Sequence, residues 1–244
     1  MKRIFITGSS DGLGQLAAKQ LVNEGHKVVL HARNDGRGKD AMNAVPEAEG
    51  VLIADLSSMD ETKQLATSVN ELGKFDVIIH NAGVYQAPSE LIINVNILAP
   101  YILTCMINQP QRLIYLSSGL HSGGEPKFKK LAESSADINY SDSKLHVVLL
   151  TKAVARLWPD VYSNAVDPGW VPTKMGGAAA TDNLDKGYQT QCWLATNDNT
   201  EARVSGGYFY HEQQRSYHSA ADDVNFQDEF LRVCEQLTEV KFPG

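Results

Sequence analysis

Tyr140 and Lys144 stand four residues apart in Tyr140-Ser141-Asp142-Ser143-Lys144. On a helix this spacing puts a phenol and an ammonium on one face. A free tyrosine titrates near about 10, too high for efficient proton exchange at neutral pH. A nearby ammonium favours the phenolate and lowers that value. Lowering it by ~3 units takes about 4 kcal/mol of differential interaction. The pair is therefore a candidate general acid/base. A second constellation is Thr7-Gly8-Ser9-Ser10-Asp11-Gly12-Leu13-Gly14, which follows the apolar run Lys2 to Ile6 and opens a helical pattern, Leu13 to Asn23. Glycines let the backbone turn sharply and approach a ligand closely. The free N–H groups and dipole of the helix N-terminus then attract a pyrophosphate.

Both constellations sit in an alternating pattern of strands and helices. Strand-like runs recur at 2–6, 27–32, 51–54, 75–80, 112–117, 161–166 and 206–210. Helical patterns cover 13–24, 37–44, 60–72, 89–108, 140–157 and 182–198, with a last helix at 223–238. Val77-Ile78-Ile79 and Leu113-Ile114-Tyr115-Leu116 are apolar throughout, as central strands of a buried parallel sheet are. The alternation predicts an α/β fold of one domain over 1–244, doubly wound around a mostly seven-stranded parallel sheet. Two segments break the rhythm, the loop 119–139 and the stretch from Thr173 onward, about 173–195. Ligands of open α/β sheets bind beyond the carboxyl ends of strands, so both segments are candidates for substrate contacts.

Polar and glycine residues mark the strand ends in order: Arg33, Asp55-Leu56, Asn81-Ala82-Gly83, Ser117-Ser118 and Asp167-Pro168-Gly169. Together with Asn96 and the Tyr140/Lys144 pair, they make the chain resemble the short-chain dehydrogenase/reductase family over nearly its whole length. The joint order of TGxxxGxG, NAG, Ser, YxxxK and PG is specific to that family. The resemblance implies a nicotinamide-dependent oxidoreductase acting on a carbonyl/alcohol pair, an alcohol dehydrogenase or carbonyl reductase. It implies Tyr140 as acid/base, Lys144 on the phenol and on the nicotinamide ribose, Ser118 on the carbonyl, and Asn96 on a relay water. Ser117 competes with Ser118, and Asn94 with Asn96; the family motif and the Val-Asn-Ile-Leu-Ala-Pro setting favour the second of each pair. Ser118 and Tyr140 are 22 residues apart, wider than is usual in the family. That insertion, Asp167-Pro168-Gly169-Trp170-Val171-Pro172-Thr173-Lys174-Met175 and Ser205-Gly206-Gly207-Tyr208-Phe209 resemble the branch of retinol dehydrogenases and WW-domain oxidoreductases, here without the branch's membrane anchor.

The resemblance places the cofactor against Gly8, Ser10, Asp11, Gly12, Leu13 and Gly14. Asp55 and Leu56 would contact adenine, and Asn81, Ala82 and Gly83 would line the centre. Pro168, Gly169, Val171 and Thr173 would hold the carboxamide end, and Tyr140 and Lys144 would also touch the cofactor. Asp55 serves equally as a cap for the helix beyond Ser57. Ala32 stands where an acidic residue would accept the ribose 2′-OH and select NAD. Arg33 follows it, and a guanidinium grips a 2′-phosphate, so NADP(H) is favoured. Asp11 is the counter-signal that keeps NAD(H) open. The substrate side would be lined by Tyr85, His121, Trp170 and Met175, which suggests a carbonyl or alcohol on an apolar or ring-like body. His121 is equally readable as a solvated loop residue. The alternative function is a non-catalytic NADP(H)-binding sensor of the same fold, which would have no chemical reason to keep Tyr140, Lys144, Ser118 and Asn96. An epimerase or dehydratase needs more chain after 185.

A net charge of −7 argues against a nucleic-acid partner, and Lys127, Lys129 and Lys130 read as a solvated loop. No apolar run is expected to reach the length of a membrane span, and the first strand leaves no room for a leader, so no membrane partner is expected. Cys105, Cys192 and Cys234 have neither zinc nor redox spacing, so no metal site is expected and reduced thiols in a cytoplasmic protein are. The faces Ile92/Val95/Leu98/Ile102 and Leu145/Val148/Leu149/Lys152 permit a homodimer or homotetramer, and would equally serve to pack against the sheet.

Overall fold

The computed structural model describes residues 1–134 and 136–243. Ser135, inside the expected 119–139 loop, and Gly244 lie outside the described residues. Seven parallel strands form one sheet in the order β3-β2-β1-β4-β5-β6-β7. They are β1 (Arg3–Ile6), β2 (Lys27–Ala32), β3 (Gly50–Ile53), β4 (Val77–His80), β5 (Arg112–Leu116), β6 (Tyr162–Asp167) and β7 (Tyr208–Tyr210). The chain winds outward from β1 in both directions. The crevice at this switch point therefore opens between the turn after β1 and the turn after β4. An eighth, antiparallel strand, β8 (Gln213–Gln214), adds to the seven expected. Its hairpin turns through His211 and Glu212 at φ of 50° and 61°, a left-handed pair that a sequence usually announces with glycine or asparagine.

Helices α1 (Gly12–Asn23), α2 (Asp35–Ala44) and α8 (Leu184–Thr196) cover one face. The other carries α3 (Met59–Glu71), a broken helix and α7 (Tyr140–Leu157), with α6 (Phe128–Ala132) and α9 (Val224–Thr238) packed outside. The expected helix 89–108 is α4 (Ser89–Ile92), a π-helical turn over Ile93–Leu98, and α5 (Ala99–Met106). Its 18 residues have a mean hydropathy of 1.4, so an apolar run of spanning length does exist, contrary to expectation. Two-thirds of it is buried in the protein (67%), which makes core packing the source of its composition. The apolar faces that could have met a second copy are also used internally: Ile92, Val95, Leu98, Ile102, Leu145, Val148 and Leu149 are all buried. The C-terminal segment completes that cover. Tyr101 Oη donates to Val240 O at 2.8 Å, Trp158 Nε1 donates to Pro243 O at 2.8 Å, and Phe242 packs on the Trp158 ring.

α7 starts where it does because Asn139 and Asp142 form a reciprocal capping box. Asp142 is buried and also accepts from Glu125 N at 2.8 Å and Lys127 Nζ at 2.9 Å. This ties most of the 119–139 insertion to α7. From Pro126 onward it packs on α7 and α9, with Phe128 edge-on to Phe226. Only its first turn borders the strand ends where a substrate would sit, so the expected substrate role of this loop shrinks to that turn.

Three of the buried histidines, His31, His80 and His146, are strongly desolvated. His31 and His146 are pushed down to about 4, and His80, stacked on Tyr115, to about 3, in each case chiefly by burial. In the unfolded chain they titrate near about 6.5. As pH falls, the unfolded chain therefore takes up these protons first. Their contribution is complete above about pH 6.5 and declines toward pH 4, each unit of difference being worth about 1.4 kcal/mol. Thermal melts should show Tm dropping between pH 7 and pH 5, before most carboxylates titrate, and His80→Phe should flatten that slope. A Tm constant over this range would refute the account.

Candidate active site and cofactor groove

The turn after β1 is held so tightly that side chains are excluded. Gly8 has φ of 63°, and a Cβ there would lie 2.9 Å from Ala82 Cα. At Gly14 a Cβ would lie 2.4 Å from Asn81 Nδ2. That amide donates to Thr7 O and Gly8 O at 2.9 and 3.1 Å, while Ala82 N donates to Thr7 Oγ1 at 3.1 Å. His31, not singled out in the sequence, completes the clamp. Its Nδ1 accepts from Gly8 N at 2.9 Å, its Nε2 donates to Ala54 O at 3.0 Å, and its own N–H bonds Ser9 Oγ. A histidine inside an otherwise apolar strand was the signal that could have found it. Asp11 caps α1 by accepting from Gly12 N at 2.8 Å.

The first turn of α1 opens on a groove of about 630 Å³. Among its lining residues are Gly8, Ser10, Asp11, Gly12, Leu13, Arg33, Asp55, Leu56, Asn81, Ala82, Gly83, Tyr140, Lys144, Pro168, Thr173 and Met175. Arg37 and Lys174 join them without having been foreseen. Gly14, Gly169 and Val171, expected as cofactor contacts, do not line it. Gly14 packs on Asn81, Val171 is buried, and Gly169 (φ 79°) lies where a Cβ would be 2.5 Å from Asp182 Oδ2. The two basic side chains also change the meaning of Asp11. Its carboxylate is bonded by Lys174 at 2.5 Å and Arg37 at 3.5 Å, and the Lys174 bond is the main influence holding it below the usual carboxylate range. Asp55 turns back on Ser57, accepting from its N–H at 2.9 Å and its hydroxyl at 2.8 Å ahead of α3.

At the inner end of the groove Tyr140 opens α7 and Lys144 follows one turn later. Lys144 is buried, donates to Leu116 O at 2.8 Å and sits 5.4 Å from the Tyr140 ring centroid. Burial lowers its ammonium to about 8 and pushes the Tyr140 phenol up to about 12. The expected lowering of the phenol by Lys144 is thus not realised here: Nζ is turned to Leu116 O, and desolvation outweighs the other influences on Tyr140. A hydrogen bond with Ser118 acts the other way, while Asp167 and Tyr85 raise the phenol further. Ser117 is buried, donates to Lys144 O at 2.9 Å and lines the groove, whereas Ser118 accepts from Leu120 N at 3.3 Å and lies close enough to Tyr140 to lower its phenol.

Asn96 spends its side chain on structure. It accepts from Val84 N at 2.8 Å and donates to Val84 O at 3.0 Å and Ser143 Oγ at 3.1 Å. Pro100 has no N–H to return to the Asn96 carbonyl four residues back. Gly83 passes between the two groups, where a Cβ would lie 3.3 Å from Lys144 Nζ and 3.4 Å from Asn96 Oδ1. Asn94 instead reaches Ser57 O at 3.0 Å.

On the substrate side Tyr85, Trp170 and Met175 are exposed, with Tyr85 edge-on to Tyr140 at 4.8 Å. His121 is neither solvated nor open to a substrate. It is 2% exposed, its Nδ1 donates to Ser118 O at 2.8 Å, and its Nε2 accepts from His218 N at 3.2 Å. Both ring nitrogens are thus used to hold the Ser118 turn. The segment after β6 closes on itself through Trp170 N to Asp182 Oδ2 at 2.7 Å and Asp182 N to Trp170 O at 3.0 Å. Beyond Leu184 the chain is α8, which packs on α1 and the sheet.

The family model for short chain dehydrogenases matches residues 2–113. The chain is 45% identical to an uncharacterized oxidoreductase of Emericella nidulans, with all of both chains covered (100% and 100%). It is 29% identical to retinol dehydrogenase 14 of Mus musculus over 85% of this chain and 77% of that one. Among solved structures, an uncharacterized protein of Mycobacterium paratuberculosis superposes with a TM-score of 0.82 at 24% identity, covering 100% and 96% of the two chains. A blue fluorescent protein from a metagenomic library, solved in complex with NADPH, gives 0.70 at 22% identity over 85% and 95%. With the sheet order, the clamped glycine turn and the Ser118/Tyr140/Lys144 cluster in place, these similarities establish that the chain is an oxidoreductase of the short-chain dehydrogenase/reductase family, similar to its retinol dehydrogenases.

Proposed function

We propose that the protein is an NADP(H)-dependent carbonyl reductase or alcohol dehydrogenase with Tyr140 as its acid/base. The observation that carries this reading is the Tyr140 ring 5.4 Å from the buried Lys144 ammonium at the inner end of a groove that also holds two arginines, with Ser118 close enough to act on the phenol. The groove fits a dinucleotide: Gly8, Gly12 and Gly83 line it with bare backbone, and the N-terminus of α1 faces it. When bound, the nicotinamide supplies the hydride. Ser118 would donate to the carbonyl oxygen and polarise it, and Tyr140 Oη would give its proton to the developing alkoxide. A phenol held near about 12 stays protonated through neutral pH, which suits reduction. Lys144 would stabilise the phenolate left behind and hold the ribose. Asn96 fixes the Val84 backbone, and its carbonyl, which Pro100 cannot bond, suits a relay water.

Arg33 and Arg37 at the outer end favour a 2′-phosphate. Asp11, which would repel one, is already paired with Lys174 and Arg37, so the signal against NADP(H) is weakened.

Three measurements test this reading. Tyr140→Phe should lose about 100-fold or more in kcat for ketone reduction while NADPH affinity stays within about threefold. Survival of activity would remove Tyr140 from the mechanism, and a wild type that binds NADPH but reduces no ketone would favour the sensor. Fluorescence titration should show NADPH binding more tightly than NADH, with Arg33→Ala and Arg37→Ala each weakening NADPH about tenfold. Equal affinities would overturn the cofactor assignment. Reduction should be steady through neutral pH and decline above about pH 8, as Lys144 loses its proton.

A further inference from the structure

Lys174 lines the groove, yet the chemistry proposed above gives it no part beyond neutralising Asp11. It belongs to the segment after β6, and backbone bonds fix that segment without help from the ammonium. Thr173 N donates to Val171 O at 2.8 Å, Gly176 N to Thr173 Oγ1 at 3.2 Å and Gly177 N to Thr173 O at 2.8 Å. The turn so made lies against the start of α1, where a Cβ on Gly12 would be 3.9 Å from Thr173 Cγ2. Lys174 Nζ meets Asp11 Oδ2 at 2.5 Å, and Arg37 Nη1 meets the same oxygen from the α2 side at 3.5 Å. The other oxygen, Oδ1, caps α1 by accepting from Gly12 N. One carboxylate oxygen is thus shared by two cations that come from distant parts of the chain.

Among the described residues, Arg33, Arg37, Lys144 and Lys174 are the Lys and Arg side chains that line the groove. Lys144 donates to Leu116 O at the inner end, which leaves three for the phosphates of a dinucleotide. Two of those three are turned to Asp11, at the N-terminus of α1, where the helix dipole also favours an anion. The carboxylate therefore stands where a phosphate would, with the same partners. Giving it up is cheap. The Lys174 side chain is 80% exposed, and ion pairs so exposed contribute little. A phosphate offers the ammonium and the guanidinium more acceptor oxygens than a carboxylate does. We propose that Lys174 is a ligand for a phosphate of the cofactor, and that Asp11 is the internal anion which this phosphate displaces from Lys174 and Arg37. Asp11 then weakens cofactor binding by competition without forbidding it. The assignment rests on the reading of the groove as a dinucleotide site, and turnover plays no part in it.

The test titrates the full chain with NADPH and with NADH, followed by nicotinamide fluorescence, in the wild type, Lys174→Met, Asp11→Asn and the double variant. Asparagine also caps helices, so Asp11→Asn keeps the start of α1. Lys174→Met should weaken NADPH binding about tenfold, the worth of one hydrogen bond to a charged group. Asp11→Asn should tighten it by about threefold or more. In the double variant the loss due to Lys174→Met should persist at about tenfold relative to Asp11→Asn alone. A loss confined to NADPH assigns Lys174 to the 2′-phosphate, and an equal loss for NADH assigns it to the pyrophosphate; either result supports the proposal. No loss in Lys174→Met overturns it. So does a loss that vanishes once Asp11 is neutral, because the ammonium then only shields the carboxylate. Weaker binding by Asp11→Asn overturns the exchange, because the carboxylate is then itself a cofactor ligand. A wild type that binds neither nucleotide overturns instead the dinucleotide reading on which the proposal rests.

Discussion

The close approach of the turn after β1 to the end of β4 is the constraint on which the site depends. Gly8 and Gly14 meet Ala82 and Asn81 at distances that leave no room for a Cβ. The Asn81 amide bonds two carbonyls of the turn, and His31 takes the N–H of Gly8 from the β2 side. The turn is therefore fixed by both strands that flank β1, and the N-terminus of α1 is aimed at the crevice before any ligand arrives. Preorganisation of this kind removes an ordering cost that binding would otherwise carry.

The second constraint is burial of charge at the inner end of the groove. Among the described residues Lys144 donates to Leu116 O, and burial depresses its ammonium. The same burial keeps the Tyr140 phenol protonated. Fixing these groups takes a good deal of structure: the capping box that starts α7, the π-helical turn that sets Asn96, and Ser117 bonded to the backbone of Lys144. His121 then holds the Ser118 turn, and the C-terminal segment holds His121 through His218. The Ser118 turn is thereby tied to a part of the chain nearly a hundred residues later.

Much of this was legible from residue order. The alternation of apolar runs and helical periods gave the parallel sheet and the order of its main strands and helices, because period and burial are local properties of a sequence, but not α6, β8 or the break in the helix after β4. His121, expected to face a substrate, is enclosed with both ring nitrogens bonded, and Gly14 and Gly169 pack against Asn81 and Asp182. Each sits at the right point of the chain, but the direction of its side chain or backbone depends on partners distant in sequence, such as His218, Asn81 and Asp182.

The amino-acid sequence by itself determined the family, the fold and the identity of the groups at the strand ends, because these follow from spacing and from the glycines a tight turn requires. The tertiary structure alone decided their electrostatic state. Asp11 looked like a charge that would repel a phosphate, until Arg37 and Lys174 were found on it. Lys144 looked like a cation that would acidify Tyr140, yet its Nζ is turned to Leu116 O and burial raises the phenol and lowers the ammonium. Charge, exposure and hydrogen-bond saturation are set by neighbours brought together in space, and one-dimensional spacing does not carry them.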